Sequence, residues 1–564
     1  MPSHAAKAIS RAPRVCSVSA VRPCTTCSSS TISRPDVRRV VRLLVPLLLA
    51  ATVGAPVSGG ATPLDEARAA AGKALERRDP IAAEVILRKA IAAGVPADAL
   101  RAQLAEALLR QGDRGEVRRV LAQGSFTPET SGLGWRVRGQ LEMSSGNLPG
   151  AAQAFDKALS FTPRDADLWT AIASLRFSGG EQAQAVAAAD FAVQLDPHNP
   201  RALALRGMLI REQYGLQASL PWFEAALQLQ PEDPGLLAEY AATLGDIGEY
   251  RAMLIVCRKI AQIDPRNPRP LFLQAVLAAR AGETELARTL LLRTGNAMRD
   301  VPAAILLNGV LEYRAGNINL AVEQFDRLLR AQPDNLQARE LLARALSRMG
   351  DARQVVSRFD ADARQPYASP YLLDIVGHAW LRLGNRARGQ ELLARADLRG
   401  TRPAQPLAAD LPLPVLAARY ADGPRFAFNA VPYVRALLVA GRKDEAQEVA
   451  DRLSDANPGA AEAWLLSGDV EMARGRTADA LEDFGSAAAI RFNEPVLRRM
   501  DAALRALGQR DKADGMTSRF LAQNPSSIVA MKLLAASWAS RAPSPARDQL
   551  ENALGARGQG RSLR

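Results

Sequence analysis

The chain has 564 residues, of which 48% are hydrophobic, 5% aromatic and 23% charged. That apolar share excludes a disordered chain, and the length excludes one compact core while suiting several domains or one long repeat array. The net charge of +13 lies mostly at the two ends, with eight Lys/Arg against one Asp in residues 1–42 and five Arg against Asp548 and Glu551 in residues 541–564. Only about +3 remains for the long middle, which argues against nucleic acid as a partner, because such binders carry their positive charge on the folded domain.

In the N-terminal segment, Arg38, Arg39 and Arg42 precede an uncharged run from Leu43 to Val53, 11 residues long. A membrane-spanning helix needs about 20. Small residues follow, and Gly59 and Ala61 fit the −3 and −1 positions of a cleavage site. A basic head, a short apolar run and a small-residue exit predict a secretory signal peptide over 1–61, or an uncleaved signal anchor. The stretch before Arg34 is long for such a signal and reads as an extended leader or an early start codon. Arg38-Arg39 lacks the rest of a twin-arginine pattern, and no cysteine follows the run closely enough for a lipid anchor. The chain is therefore expected to be exported and periplasmic, or anchored in the inner membrane. Three cysteines, Cys16, Cys24 and Cys27, precede the run. Cys24 and Cys27 have redox or zinc spacing but no second ligand pair, and read as a chance pair. Cys257 stands alone and reads as a small core residue.

From about residue 62 the sequence repeats. Proline recurs every 34 residues at Pro163, Pro197, Pro231 and Pro265, misses the slot at Arg299, and returns at Pro333. Glycine keeps the same beat at Gly112, Gly146, Gly180, Gly248, Gly282, Gly316, Gly350 and Gly384, with Gly215 one residue off its slot. After an interruption it resumes at Gly441, Gly475 and Gly508. Each unit thus holds two helices of about 12–15 residues. The glycine leaves the first helix through a left-handed turn, the proline ends the second, and Asn199 or Asn335 caps the next. Arg78 and Ala542 stand at further turns. Twelve residues before the proline slot lie Ala151, Ala185, Ala321, Ala446, Ala480 and Ala513, with Ser219 in one unit. Eight before it lie Phe155, Phe223, Phe325 and Phe484; twenty-four before it Gly139, Gly207, Gly309 and Gly468; twenty-eight before it Trp135, Trp169 and Trp464. These are expected to be core.

This ladder of Trp, Gly, Ala, Phe, Ala and Pro resembles the tetratricopeptide repeat family, most specifically over 130–350 and 430–525. The resemblance implies an all-α fold, a right-handed α-solenoid of about fourteen helix-turn-helix hairpins. The expected organisation is an N-terminal subarray over 62–399, a Pro-rich interruption over 400–424 and a C-terminal subarray over 425–564. Pro403, Pro406, Pro412 and Pro414 predict an extended segment in the interruption, either a loop or a strap docked on the array. Ser544 and Pro545 begin a closing hairpin, with Leu550 and Leu554 on one face. Fourteen units and the interruption use up the chain, leaving almost no room for a catalytic domain.

The chemistry-bearing residues are few. Of the three histidines, His4 is in the leader, His198 is in a turn between units, and His378 follows Asp374 by one helical turn, which reads as a solvated contact. No phosphate loop, nucleophile elbow or zinc-spaced cluster appears, so no enzyme activity, metal or cofactor is expected. The resemblance also implies that the first helix of each hairpin lines a concave groove. The groove positions carry Arg136, Arg201, Arg211, Arg269, Arg280, Arg314, Arg344, Arg348 and Arg382 against Asp167, Glu340, Asp374 and Asp469. The groove is read either as basic and suited to an acidic ligand, or as a face whose arginines are solvated and paired with neighbours. The asparagines of carboxylate-clamp relatives are not evident, so chaperone-tail binding is not implied. The expected function is a non-enzymatic protein-interaction scaffold of the cell envelope, whose expected partners are other proteins, envelope proteins first, with an acidic peptide or anionic glycan as a further candidate and the membrane met only through a signal anchor. The alternative is an anionic polysaccharide or peptidoglycan-binding module of an exopolysaccharide export system.

Overall fold

The computed structural model describes residues 62–559, apart from 334, 365–367, 398–410 and 540–543. The leader with its cysteines, the apolar run, the candidate cleavage site and residues 400–410 of the interruption lie outside the described residues. Among the described residues there are 29 α-helices, one short 3-10 helix and no strand, so the fold is all-α. No helix among them is long and apolar enough to cross a membrane. Consecutive helices pack on one another along the chain in helix-turn-helix pairs, which is the α-solenoid.

The chain divides into two compact units, 1–163 and 164–564. The first unit holds three pairs, from Pro63–Glu76 to Leu148–Phe161. Its core joins Leu75, Leu87, Leu100, Leu108 and Val117. Arg78 occupies the glycine slot of its first turn with φ 62 and, among the described residues, is alone among non-glycines in having a positive φ.

The second unit runs from Ala166–Ser178 to Pro545–Gln559. Every glycine of the 34-residue beat has a positive φ, between 73° and 109°. Each leaves its helix where a side chain would be strained. The second helices end two residues before their prolines, at Leu195, Leu229, Ile263 and Ala331. Asn199 accepts from the backbone N–H of Arg201 and Ala202, and Asn335 from that of Ala338, as N-caps do.

In both units the periodic alanines and Ser219 are fully buried, as are Phe155, Phe223, Phe325 and Phe484. Each ring lies against the glycine sixteen residues earlier. A Cβ on Gly139, Gly309 or Gly468 would lie 2.3, 2.6 or 2.4 Å from the ring, so only glycine lets the two helices approach this closely. Trp169 is buried, while Trp135 and Trp464 are half-buried. Cys257 is buried and its thiol is pushed up to about 11 by burial. In the closing helix Ser544 accepts from the Arg547 N–H, Leu550 is buried, and Leu554 packs beside it.

The interruption differs from expectation. Its described part is not extended: Leu413–Asp422 is a helix, with Pro412 as N-cap and Pro414 in the first turn. Proline is disruptive inside a helix but fits its first turn, where the N–H has no partner to lose. This helix packs on Ala427–Val439, and Tyr420 stacks on Tyr433 at 5.2 Å. Packed structure of the C-terminal subarray thus begins at Leu413, before residue 425.

The second unit also touches itself again about eight repeats on. Gln182 donates to Glu462 at 3.1 Å, 280 residues away, and the Ala183 N–H donates to the Gly459 carbonyl at 3.1 Å. One repeat further, Gln213 donates to the Ala489 carbonyl at 3.0 Å and Arg491 pairs with Glu212 at 2.6 Å. The N–H groups of Leu216 and Ala218 donate to Asn524 and Gln523. Next, Ser526 bonds to the Asp246 carbonyl. The bonds join helix ends and turns, rung by rung.

Candidate functional site

Arg280, Arg314, Arg348 and Arg382 stand two residues before successive turn glycines. Each donates to a backbone carbonyl 35 residues earlier, in the last turn of the preceding first helix. The acceptors are Gly245 at 3.2 Å, Ala279 at 2.8 Å, Tyr313 at 3.4 Å and Ser347 at 3.2 Å. In the first unit Arg110 does the same to Leu75 at 3.2 Å. The last four carbonyls of a helix lack partners within it, and that end carries partial negative charge. The arginine row therefore ties each first helix to the next. A guanidinium has five N–H donors, so each arginine keeps most of its donor capacity.

The remaining arginines of the expected groove fall into two kinds. Arg201 lies 3.8 Å from Asp167, Arg211 is 3.5 Å from Glu239, Arg269 is 3.4 Å from Glu239, and Arg280 also reaches Asp246 at 2.9 Å. In the first unit Arg136 is buried, 3.8 Å from Glu106. Arg344 is different. Its Nε donates to the Tyr313 hydroxyl at 3.0 Å, and its guanidinium lies 5.6 Å from the Tyr313 ring and 5.9 Å from the Tyr371 ring. The Arg348 guanidinium lies over the Tyr313 ring, 4.9 Å from its centroid. Burial works against the Arg344 charge, but Tyr371 and Tyr313 outweigh it and its pKa is raised. Burial also raises the Tyr371 phenol, and Arg344 opposes that shift.

Three first helices, Pro302–Ala315, Leu336–Arg348 and Pro370–Arg382, thus carry Arg314, Arg344, Arg348 and Arg382. Among the described residues none of these four has a carboxylate partner, and two tyrosines are interleaved with them. The acidic groove positions do not cancel this charge. Asp469 is buried and held by Arg499 at 2.7 Å, with burial pushing its carboxyl up. Glu340 accepts from Ser369. Asp374 faces His378, whose Nδ1 donates to the Asp374 carbonyl at 2.8 Å; both side chains are exposed.

Sequence reasoning named the arginines but missed Tyr313 and Tyr371, which set apart Arg344 from the others. The signal was present: Tyr313 lies three residues before Gly316, and aromatic–arginine neighbours enrich binding surfaces.

The tetratricopeptide repeat family model matches residues 170–234, 306–367 and 434–494. No curated protein matches the chain significantly. Among solved structures, the Cut9–Hcn1 hetero-tetramer of the APC/C is similar at 14% identity over 84% of this chain and 96% of that one, with a TM-score of 0.31. A tetratricopeptide repeat protein from Parabacteroides merdae is 18% identical over 42% of this chain and 93% of its own, TM-score 0.30. Pseudomonas aeruginosa pilF is 20% identical over 38% and 99%, TM-score 0.31. The assignment rests on the three matched stretches and on the glycine, alanine and phenylalanine register that continues through the pairs between them. By that register the three matched stretches are tetratricopeptide repeats, and the helix pairs between them keep the same pattern.

Proposed function

We propose that this chain is a non-enzymatic scaffold that docks an acidic segment of a protein partner on the first-helix face between Pro302 and Arg382. Arrays of this family present long continuous binding surfaces. The observation that carries the reading is the run of four arginines without carboxylate partners, set among Tyr313 and Tyr371. Carboxylates pair well with a guanidinium, and arginine and tyrosine are the side chains that most often dominate binding energy. The cellular setting we propose is the bacterial envelope; the basic head, apolar run and small-residue exit of residues 38–61 support it.

The test is fluorescence anisotropy with a labelled deca-glutamate peptide. The wild-type chain should bind it at low salt, less well as salt screens the charges, and at least 10-fold less well after Arg314→Glu with Arg344→Glu. An unchanged affinity in that variant removes the site. A chain that ignores the peptide but binds polygalacturonate supports an anionic polysaccharide as ligand of the same arginines. Fractionation of a tagged full-length chain tests the envelope setting, and recovery in the cytoplasmic fraction alone refutes it.

A further inference from the structure

Within residues 164–559 one second helix is cut short. Thr284–Leu292 has 9 residues, against 14 in Tyr250–Ile263 and 14 in Ile318–Ala331. The missing five residues correspond to about 7.5 Å of helix. In their place the chain makes a 3-10 turn, Gly295–Met298, and the proline slot holds Arg299. Where the lost turns would have packed there is an open cleft of ≈ 590 Å³, bounded by Thr284–Leu292, Pro302–Ala315 and Ile318–Ala331. That is the size of ordinary ligand sites, about 300–1,000 Å³.

Its lining sorts by chemistry. Met298, Ala304 and Ile305 are buried and apolar. At the mouth Leu292 is 83% exposed, more than any other large apolar side chain among the described residues. The charges on the walls are mostly settled internally. Arg288 pairs with Glu312 at 3.2 Å and with Glu285 at 3.3 Å, and Arg327 pairs with Asp300. Arg299 and Glu323 are left, and their charges cancel. The carboxamides of Asn308 and Gln324 also line the cleft, and neither has a hydrogen-bond partner among the described residues. A carboxamide offers two donors and an acceptor, a match for the N–H and C=O of a peptide bond.

We propose that this cleft takes an uncharged segment of a protein partner. An aliphatic side chain of that segment sits on Met298, Ala304 and Ile305 against Leu292, and its main-chain amides pair with Asn308 and Gln324. Buried apolar floor selects the aliphatic side chain. Counted with Asp300, three glutamates and one aspartate against three arginines leave the walls at −1, so an anion gains nothing there and a cation little. The inference rests on the scaffold reading but not on the arginine–tyrosine face, and the two fail separately.

The experiment is selection of dodecapeptides from a random phage library on the purified full chain. The selected peptides are then synthesised and titrated into protein labelled with 13C at the methionine methyls. The expected result is a set of uncharged peptides with an aliphatic anchor that shifts the Met298 resonance, assigned through Met298→Leu. Binding should weaken at least 10-fold in the Asn308→Ala, Gln324→Ala double variant. It should weaken similarly in Leu292→Glu, a change at so exposed a position that folding is untouched. Arg344→Glu should leave it unchanged. Selection of no peptide, a Met298 resonance that does not move, or acidic peptides lost in Arg344→Glu but kept in Leu292→Glu each overturns the proposal.

Discussion

The contact between glycine and phenylalanine in each pair makes a graded prediction. An ideal Cβ on Gly468 would lie 2.4 Å from Phe484 Cε1, 2.6 Å from Cδ1 and 3.1 Å from the Ala480 carbonyl. Carbon atoms prefer about 3.5–4.0 Å. Gly468→Ala therefore drives the helices Ala461–Arg474 and Thr477–Ile490 apart by about 1 Å, or turns a ring that is 1% exposed. Overpacking of this kind costs about 1–3 kcal/mol, and the better helix propensity of alanine returns about 1 kcal/mol. The net is a loss of up to about 2 kcal/mol. At Gly207 the same Cβ would lie 3.2 Å from Phe223 Cε1, so the overlap is a few tenths of an ångström. Gly207→Ala should fall within about 0.5 kcal/mol of wild type, because the propensity gain offsets the overlap. Phe484→Leu combined with Gly468→Ala should recover part of the loss, since a smaller side chain makes room. The assay is urea unfolding followed by circular dichroism, with hydrogen exchange of residues 461–490 to localise the effect, since repeat arrays unfold in parts. Equal stability of Gly468→Ala and Gly207→Ala would refute the reasoning.

Three further outcomes are expected. Burial raises the Asp483 carboxyl from its ordinary range to about 6, against a hydrogen bond from Ser467. The folded chain then holds a proton that the unfolded chain has released, so stability falls as pH rises from about 4 to 6. Because Asp483 is only half-buried, solvent screening leaves about 1 kcal/mol at neutral pH, and Asp483→Asn should raise the melting temperature at pH 7.5 but not at pH 4; a gain at both would exclude the ionised carboxyl as its source. Arg78→Gly should stabilise the first unit by about 1 kcal/mol in thermal melts, because Arg78 is held at φ 62; a loss would mean that the side chain contributes more than the turn costs. Arg491→Glu places a carboxylate against Glu212 and Glu462, which Arg491 now meets at 2.6 and 3.2 Å. It should part the edges 182–246 and 459–526 and enlarge the radius of gyration in X-ray scattering; an unchanged radius would mean that the edge is not held by these bonds.

What was legible in the sequence is what local rules dictate. Gly316 and Pro333 mark the ends of Pro302–Ala315 and Ile318–Ala331 because a left-handed turn and a missing N–H act within a few residues. Phe325 and Ala321 are core because their period matches the stacking of pairs. Pro412 and Pro414 were misleading, since the same residue that stops a helix inside also begins one. The row Arg280, Arg314, Arg348 and Arg382 was visible as a spacing, but its acceptors lie 35 residues back and exist only once the pairs are stacked. The empty slot at Arg299 marked the unit of the short helix, while the cleft beside it depends on three helices at once. The edge contacts depend on the summed small rotation of eight repeats, which no local pattern carries.

Both proposed sites use the helix Pro302–Ala315, from different sides. Ala304, Ile305 and Asn308 line the cleft, whereas Arg314 is six residues beyond Asn308, about 240° further around the axis. The helix itself is held on several sides. Tyr313 and Leu311 are buried on it, Gly309 sits against the Phe325 ring, and Arg314 binds the helix before it. Coupling between sites requires an element with two states that each ligand biases differently. With the helix held in this way, occupancy of the cleft should leave intrinsic affinity at the arginine–tyrosine face unchanged. A single partner bearing both an uncharged apolar segment and an acidic segment would still bind far more tightly than either alone, because the second contact becomes intramolecular. If both proposals hold, a partner carrying the two unlike segments at the matching separation would be preferred over one carrying either alone, and specificity would come from that spacing as much as from the strength of either site.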